Sequence, residues 1–132
     1  MLTDPKLATA MAFHGEAMRV PQSAVIFEGG ESADGIYIVR SGSVTIQLLN
    51  KEDRLVWSRT VSEAGILGLP AAINHHPHRV RAVASENAEM IFVRANTLNE
   101  LIQKDPSLGA LVVLFISKEL YALCCEAVGW PP

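Results

Sequence analysis

Two short runs of strand-forming residues, joined by a turn that contains glycine, constrain the fold of this 132-residue chain more than any other feature. The runs are residues 36–39 (Ile-Tyr-Ile-Val) and 44–48 (Val-Thr-Ile-Gln-Leu). Between them, Gly42 can supply the positive φ that a short hairpin loop requires. In the second run apolar and polar residues alternate, which predicts a strand with one buried face. The immediate prediction is an antiparallel β protein with a hairpin at its centre.

A wider stretch around these strands carries a recognisable pattern. It consists of Phe27, Gly30-Glu31, the segment 33–37 (Ala-Asp-Gly-Ile-Tyr) and the segment 41–44 (Ser-Gly-Ser-Val). The pattern resembles the cyclic-nucleotide-binding domain of the catabolite-activator (Crp/Fnr) regulators, and the resemblance extends over about residues 15–129. It implies a mainly β protein with flanking helices: a double-stranded β-helix, also called a β-roll or cupin-like jelly roll, with a long C-terminal helix.

The chain length suits one domain, because 132 residues can enclose one core and are too few for two ordinary domains. We expect one domain over residues 1–132, with a helical segment at 1–17, the β-roll at 18–94 and C-terminal helices at 97–128. Asp4 and Pro5 favour a helix start, and Leu7, Met11 and Phe13 form its predicted apolar stripe. Asp105 and Pro106 predict the start of the last helix in the same way.

Composition argues against two classes of partner. The net charge of −3 and the pI of about 5.8 speak against a surface for nucleic acid, which would need a basic patch. No run of 18 apolar residues occurs, so neither a membrane span nor a signal peptide is expected. The two cysteines, Cys124 and Cys125, are adjacent and therefore poorly placed to pair in a helix. A reduced, cytoplasmic protein is the prediction.

Residues 62–78 fall where the resemblance places a phosphate-binding cassette. In that family, a glycine turn leads into a short helix whose N–H groups hold the phosphate. An arginine neutralises the phosphate, and a glutamate orients the ribose hydroxyl. Here Ile66 stands in place of the glutamate, and one alignment puts His78 at the arginine position while another puts Arg79 there. The candidate ligand-binding residues are Gly65, Ile66, Leu67, Gly68, His78 and Arg79.

A histidine cluster at His75, His76 and His78 raises the question of a metal site. The cupin metal motif pairs His-x-His with a glutamate a few residues later, whereas Glu86 is the first glutamate after this cluster. A solvated loop is therefore predicted, with metal binding as the alternative. Arg79 and Arg81 would share one face of a strand and could grip an anion. No catalytic constellation stands out, so neither an enzyme nor a cofactor is expected.

The last predicted helix is apolar almost all the way round, so more than one of its faces must be covered. One face can pack on the β-roll, and in the Crp/Fnr family the other meets the same helix of a second subunit. The resemblance thus implies a homodimer. The candidate interface residues are Leu111, Phe115, Leu120 and Cys124.

The sequence favours a ligand-sensing or regulatory module that does not bind cyclic AMP or cyclic GMP in the family's usual way. Its ligand would be a small anion or a nucleotide-like molecule. Two alternatives remain open: a metal-dependent cupin-like enzyme that uses the histidine loop, and a protein-interaction domain with a closed pocket.

Overall fold

The computed structural model describes residues 3–129 as two β-sheets with helices on one side. Its elements, in chain order, are α1 (Pro5–Ala12), β1 (Glu16–Val20), β2 (Val25–Phe27), β3 (Gly35–Ser41), β4 (Val44–Leu49), β5 (Leu55–Val61), β6 (Ile66–Leu67), α2 (Leu69–Asn74), β7 (Arg81–Ala84), β8 (Ala88–Arg94), α3 (Ala95–Lys104) and α4 (Pro106–Val128).

Each sheet contains four antiparallel strands. The strand order is β1-β8-β3-β6 in the first sheet and β2-β7-β4-β5 in the second. This confirms the predicted β-roll with a long C-terminal helix.

The predicted pairing of the two central strands is wrong, although both strands exist. β3 and β4 lie in different sheets, so the turn between them carries the chain across the roll instead of closing a hairpin. Gly42 adopts φ +81° there, and a side chain at this position would meet the backbone of Asn87 and Ala88. β3 pairs instead with β8, and β4 pairs with β5 and β7.

Two apolar clusters form the core. One fills the space between the sheets and includes Phe27, Leu67 and Met90. The other, here called the helix-side core, lies between the first sheet and the helices and includes Leu7, Ile66 and Phe115. Because β3 belongs to the layer between the two clusters, its residues 35–39 are buried or half-buried on both faces.

Helices α1 and α4 begin at the capping residues that the sequence predicts. Asp4 accepts a hydrogen bond from the N–H of Leu7 at 3.1 Å, and Asp105 accepts one from the N–H of Ser107 at 3.0 Å. Phe13 departs from the expected apolar stripe: it follows the end of α1, and 85% of its surface is exposed.

Strand β7 begins at Arg81, two residues later than expected, because residues 79–80 still belong to the preceding turn. Both cysteines are free thiols, with Cys124 exposed and Cys125 buried.

Helix α4 buries one face within the chain and exposes the other. Leu108, Val112 and Phe115 pack into the helix-side core, whereas Val113, Leu120 and Tyr121 are each more than 60% exposed. Phe115 was expected at an intersubunit contact, and that assignment is wrong because the side chain is only 4% exposed within the single chain. Leu111 is half-buried, while Leu120 and Cys124 are exposed.

Contrary to the expectation from sequence, α4 is long and apolar enough to span a bilayer. It has 23 residues, and its most apolar 18-residue window has a mean hydropathy of 1.9. Length and composition alone are weak evidence, since core helices of soluble proteins reach the same values. The three buried residues of its first half are those of a core helix.

Candidate functional site

The glycine turn at residues 65–68, here called the cassette turn, is held against strand β3. Leu67 pairs with Tyr37 and Ile66 with Ile38, and the chain then bends at Gly68, which adopts the left-handed conformation with φ +83°. Helix α2 follows directly. The predicted order of glycine turn and short helix is therefore present.

Ile66 does not line the space between the sheets. Its side chain is 1% exposed and belongs to the helix-side core, while its neighbour Leu67 points into the core between the sheets. Successive residues of a strand face opposite ways, which accounts for the division. A glutamate at position 66 would thus place its carboxylate among apolar side chains of the core.

His78 is the predicted site residue that comes closest to the turn. A Cβ built on Gly68 would lie 3.0 Å from the imidazole Cε1 of His78. The His78 side chain is 4% exposed and stacks on Phe27, with ring centroids 3.7 Å apart and ring planes inclined by 13°. Its backbone is pinned by two hydrogen bonds: its N–H donates to Glu31 O at 2.9 Å, and its carbonyl accepts from Gly30 N at 2.8 Å.

The electrostatic surroundings of His78 are acidic. Burial lowers the pKa of His78 below the usual histidine value, and the negative charges of Glu31 and Asp34 oppose that shift without reversing it. Burial also raises the pKa of Tyr37, and the same two carboxylates add to the rise. At neutral pH the imidazole is therefore uncharged.

Tyr37 extends the ring cluster around His78. Its ring centroid lies 5.7 Å from that of Phe27 and 5.0 Å from that of Phe92. In the sequence, Phe27 and Tyr37 belong to the pattern that predicts the fold, and nothing there predicts that they lie in the site. The β3–β8 register pairs Tyr37 with Phe92 and would indicate that contact, whereas the stack of Phe27 on His78 joins β2 to the turn before β7.

The two arginines do not form the expected pair. Arg79 is exposed in the turn before β7, and Arg81 is the first residue of that strand. Arg81 Nε lies 2.6 Å from Glu28 Oε1, an ion pair in which the Nε–H lacks hydrogen-bond alignment. Since Arg81 already has a carboxylate beside it, it is poorly suited to hold a second anion.

The three histidines of the cluster, His75, His76 and His78, do not face a common site. His75 and His76 are exposed after α2, whereas His78 is buried beside Phe27. The expectation of a solvated loop is therefore right for the first two and wrong for His78. Within residues 3–129, no group of three His, Cys, Asp or Glu side chains is arranged to hold a metal ion.

A surface cavity lies beside residues 63–64, which directly precede the cassette turn. It has a volume of about 500 Å³ and is bounded by α1 and by residues of β3 and β8, among them Ala8, Ile38 and Ile91. Arg40 and Glu63 also line it. None of the predicted site residues contributes to its wall.

The fold and the cassette turn together define a domain of the cyclic-nucleotide-binding class, and comparison with known families agrees. Residues 17–105 match the family described as Cyclic nucleotide-binding domain. The chain belongs to that family. A search of curated proteins found no match.

Solved structures with the same fold include several bacterial regulators. The catabolite activator protein of Thermus thermophilus superposes with a TM-score of 0.82 at 18% identity, over 94% of this chain and 58% of that one. The c-di-GMP-responsive global regulator CLP of Xanthomonas campestris gives a TM-score of 0.77 at 23% identity, over 95% of this chain and 63% of that one. The sensor domain of the transcriptional regulator DNR of Pseudomonas aeruginosa gives 0.72 at 17% identity, over 95% and 84%.

The TM-scores show that this chain shares the fold of these proteins. The chain spans 58% of the length of the Thermus protein.

Proposed function

We propose that this chain is a ligand-sensing, regulatory module that does not bind cyclic AMP or cyclic GMP in its family's usual way. The observation that carries the proposal is the place of His78. It is buried, neutral and stacked on Phe27 beside the cassette turn, and one of the two alignments with the family puts it at the arginine position. A neutral imidazole offers one hydrogen bond at most, whereas an arginine offers a bidentate, charge-assisted contact to a phosphate.

Two further features support the proposal. Ile66 occupies the ribose-binding position and faces the helix-side core, so no acceptor for a ribose hydroxyl stands there. Glu31 and Asp34 supply negative charge near His78, which repels a phosphate. Loss of the charged contacts removes about 1.5–3 kcal/mol for each hydrogen bond.

Isothermal titration calorimetry with cyclic AMP and cyclic GMP tests the proposal. We expect no binding at micromolar nucleotide, and a micromolar or tighter dissociation constant would refute it. The variant His78→Arg restores the cation and should strengthen nucleotide binding, and Arg79→Ala made in that His78→Arg background should leave the strengthened binding unchanged. If Arg79→Ala abolishes the binding gained with His78→Arg, then Arg79 and not position 78 takes the arginine role.

A protein-interaction domain with a closed pocket is the second candidate. The filled core between the sheets favours it, because Phe27, Leu67 and Met90 are each at most 3% exposed there. A thermal-shift screen with nucleotides and small anions separates the two: stabilisation by any of these compounds supports a sensor. The metal-dependent enzyme has no comparable support, since the three histidines do not share a site.

We also propose that the module works in the cytoplasm as a homodimer, with the exposed face of α4 as its interface. Leu120, Cys124 and Val128 lie on that face, opposite the buried side chains of the helix. An isolated apolar stripe of this size needs a partner in water. A second copy of the same helix would supply it.

A further inference from the structure

A cluster outside the cassette ties the β4–β5 hairpin to the end of α4. The indole N–H of Trp57 donates to Glu126 Oε1 at 3.1 Å. The Arg59 guanidinium forms an ion pair with Glu126 Oε2, and its central carbon lies 5.3 Å from the centre of the Trp57 ring. A single carboxylate of α4 is thus held by two donors from one strand.

This contact differs from the exposed ion pairs of the protein. Arg59 and Glu126 have side-chain exposures of 19% and 45%, whereas in the pair Arg19–Glu89 the charges are 3.8 Å apart and 89% and 53% exposed. A partly buried charge pair is weakened less by solvent and salt than an exposed one. Burial also raises the pKa of Glu119 on α4, and the positive charge of Arg59 opposes that rise.

The position of Trp57 connects the cluster to the interior of the roll. Among residues 3–129, β5 pairs with β4 alone and is an edge strand of its sheet. Trp57 is half-buried and packs against the core between the sheets. When the hairpin is held against α4, the indole covers that core from its open edge.

We propose that Trp57, Arg59 and Glu126 form a clamp that keeps the β4–β5 hairpin closed over the core between the sheets without any ligand, and that release of the clamp opens this core to small apolar molecules. The clamp is a positioning device, and it rests on the sensor role proposed above. It makes the hairpin and α4 move together, because one carboxylate is shared between them.

Amide hydrogen exchange of Glu126→Gln tests the clamp directly. We expect exchange in residues 55–61 and 119–128 to become about tenfold faster or more, with β3 and β8 unchanged. The matched control is Glu89→Gln, which removes an exposed pair and should leave both segments as in wild type. Equal exchange in Glu126→Gln and wild type overturns the proposal.

Two more variants distinguish loss of the clamp from a general destabilisation of the fold. Trp57→Phe keeps an aromatic ring against the core but removes the N–H donor together with one ring of the indole, and it should speed exchange in the same two segments. The double variant Arg59→Glu with Glu126→Arg should return exchange towards the wild-type rate. If the double variant exchanges as fast as Glu126→Gln, then the ion pair is not the clamp.

Dye binding tests the second half of the proposal. The fluorescence of 1-anilinonaphthalene-8-sulfonate, a dye whose aromatic rings bind accessible apolar surface, should rise several-fold with Glu126→Gln and not with Glu89→Gln. Faster exchange without dye uptake overturns the claim that the clamp controls access. No nucleotide enters these experiments, so their failure is distinct from a failure of the calorimetric test.

Discussion

The imidazole of His78 stacks on the phenyl ring of Phe27, with their centroids 3.7 Å apart. The contact joins the end of β2 to the turn before β7, beside the glycine turn of the cassette. It places a buried, neutral ring beside that turn. The consequences can be measured without knowing the ligand.

Protonation of His78 should destabilise the fold. Its pKa is lowered in the folded state, so between that value and the unfolded value of about 6.5 the unfolded chain binds more protons. The contribution to stability is therefore complete above pH 6.5 and is lost as the pH falls through the folded pKa. Thermal melts between pH 5 and 8 should show this loss. In His78→Phe, which retains the stack, it should be absent.

The exposed His76 serves as the control for that experiment. His76→Phe should keep the pH dependence of wild type, because His76 lies at the surface. If His78→Phe and wild type lose stability equally on acidification, another group carries the effect.

Restoring a glutamate at position 66 should unfold the protein instead of creating a ribose site. Ile66 is 1% exposed within the helix-side core, where an unpaired carboxylate costs several kcal/mol. The conservative variant Ile66→Val should cost only about 0.5–1.5 kcal/mol. Urea denaturation of both variants measures the difference. An Ile66→Glu protein as stable as Ile66→Val would show that this side chain can turn away from the core.

Gly68 and Gly30 offer a matched pair for the cassette turn. Both adopt positive φ, but a Cβ on Gly68 would touch the His78 ring whereas one on Gly30 would meet nothing within 4 Å. Gly68→Ala should therefore cost more than the roughly 1–2 kcal/mol that an alanine pays for the left-handed conformation alone. Gly30→Ala should cost about that amount. Equal losses in denaturant unfolding would mean that the His78 ring moves aside freely.

Substitutions at two apolar residues of α4 should have different outcomes, because one residue is exposed and the other is buried. Leu120→Glu should convert a dimer into a folded monomer on light scattering, because Leu120 is 61% exposed. Phe115→Ala should lower the free energy of unfolding by about 3–5 kcal/mol, since its ring is buried within the chain. Leu55→Glu is the control: Leu55 has similar exposure on β5 and should leave the dimer intact. A wild-type protein that remains monomeric at high concentration contradicts the proposed interface.

The local part of the fold could be predicted from the sequence because its causes are local. Alternation of apolar residues marks β4, the Asp-Pro pair at 105–106 marks the start of α4, and Gly42 marks a positive φ. Each of these signals acts within a few residues, through sterics or through a single hydrogen bond. The resemblance carried by the turn residues extended them to a whole β-roll.

Only the tertiary structure decided the pairings and the orientation of the site residues. The turn at Gly42 looks like a hairpin in sequence, yet β3 pairs with β8 and β4 with β7, which lie about 40 residues away or more. That crossing aims Ile66 at the helices and brings His78 onto Phe27, and it leaves Arg79 in water. Alternation with a period of two shows that a strand has two different faces. Which of the two faces lines the candidate site depends on the strands and helices that pack against it, and these are distant in sequence.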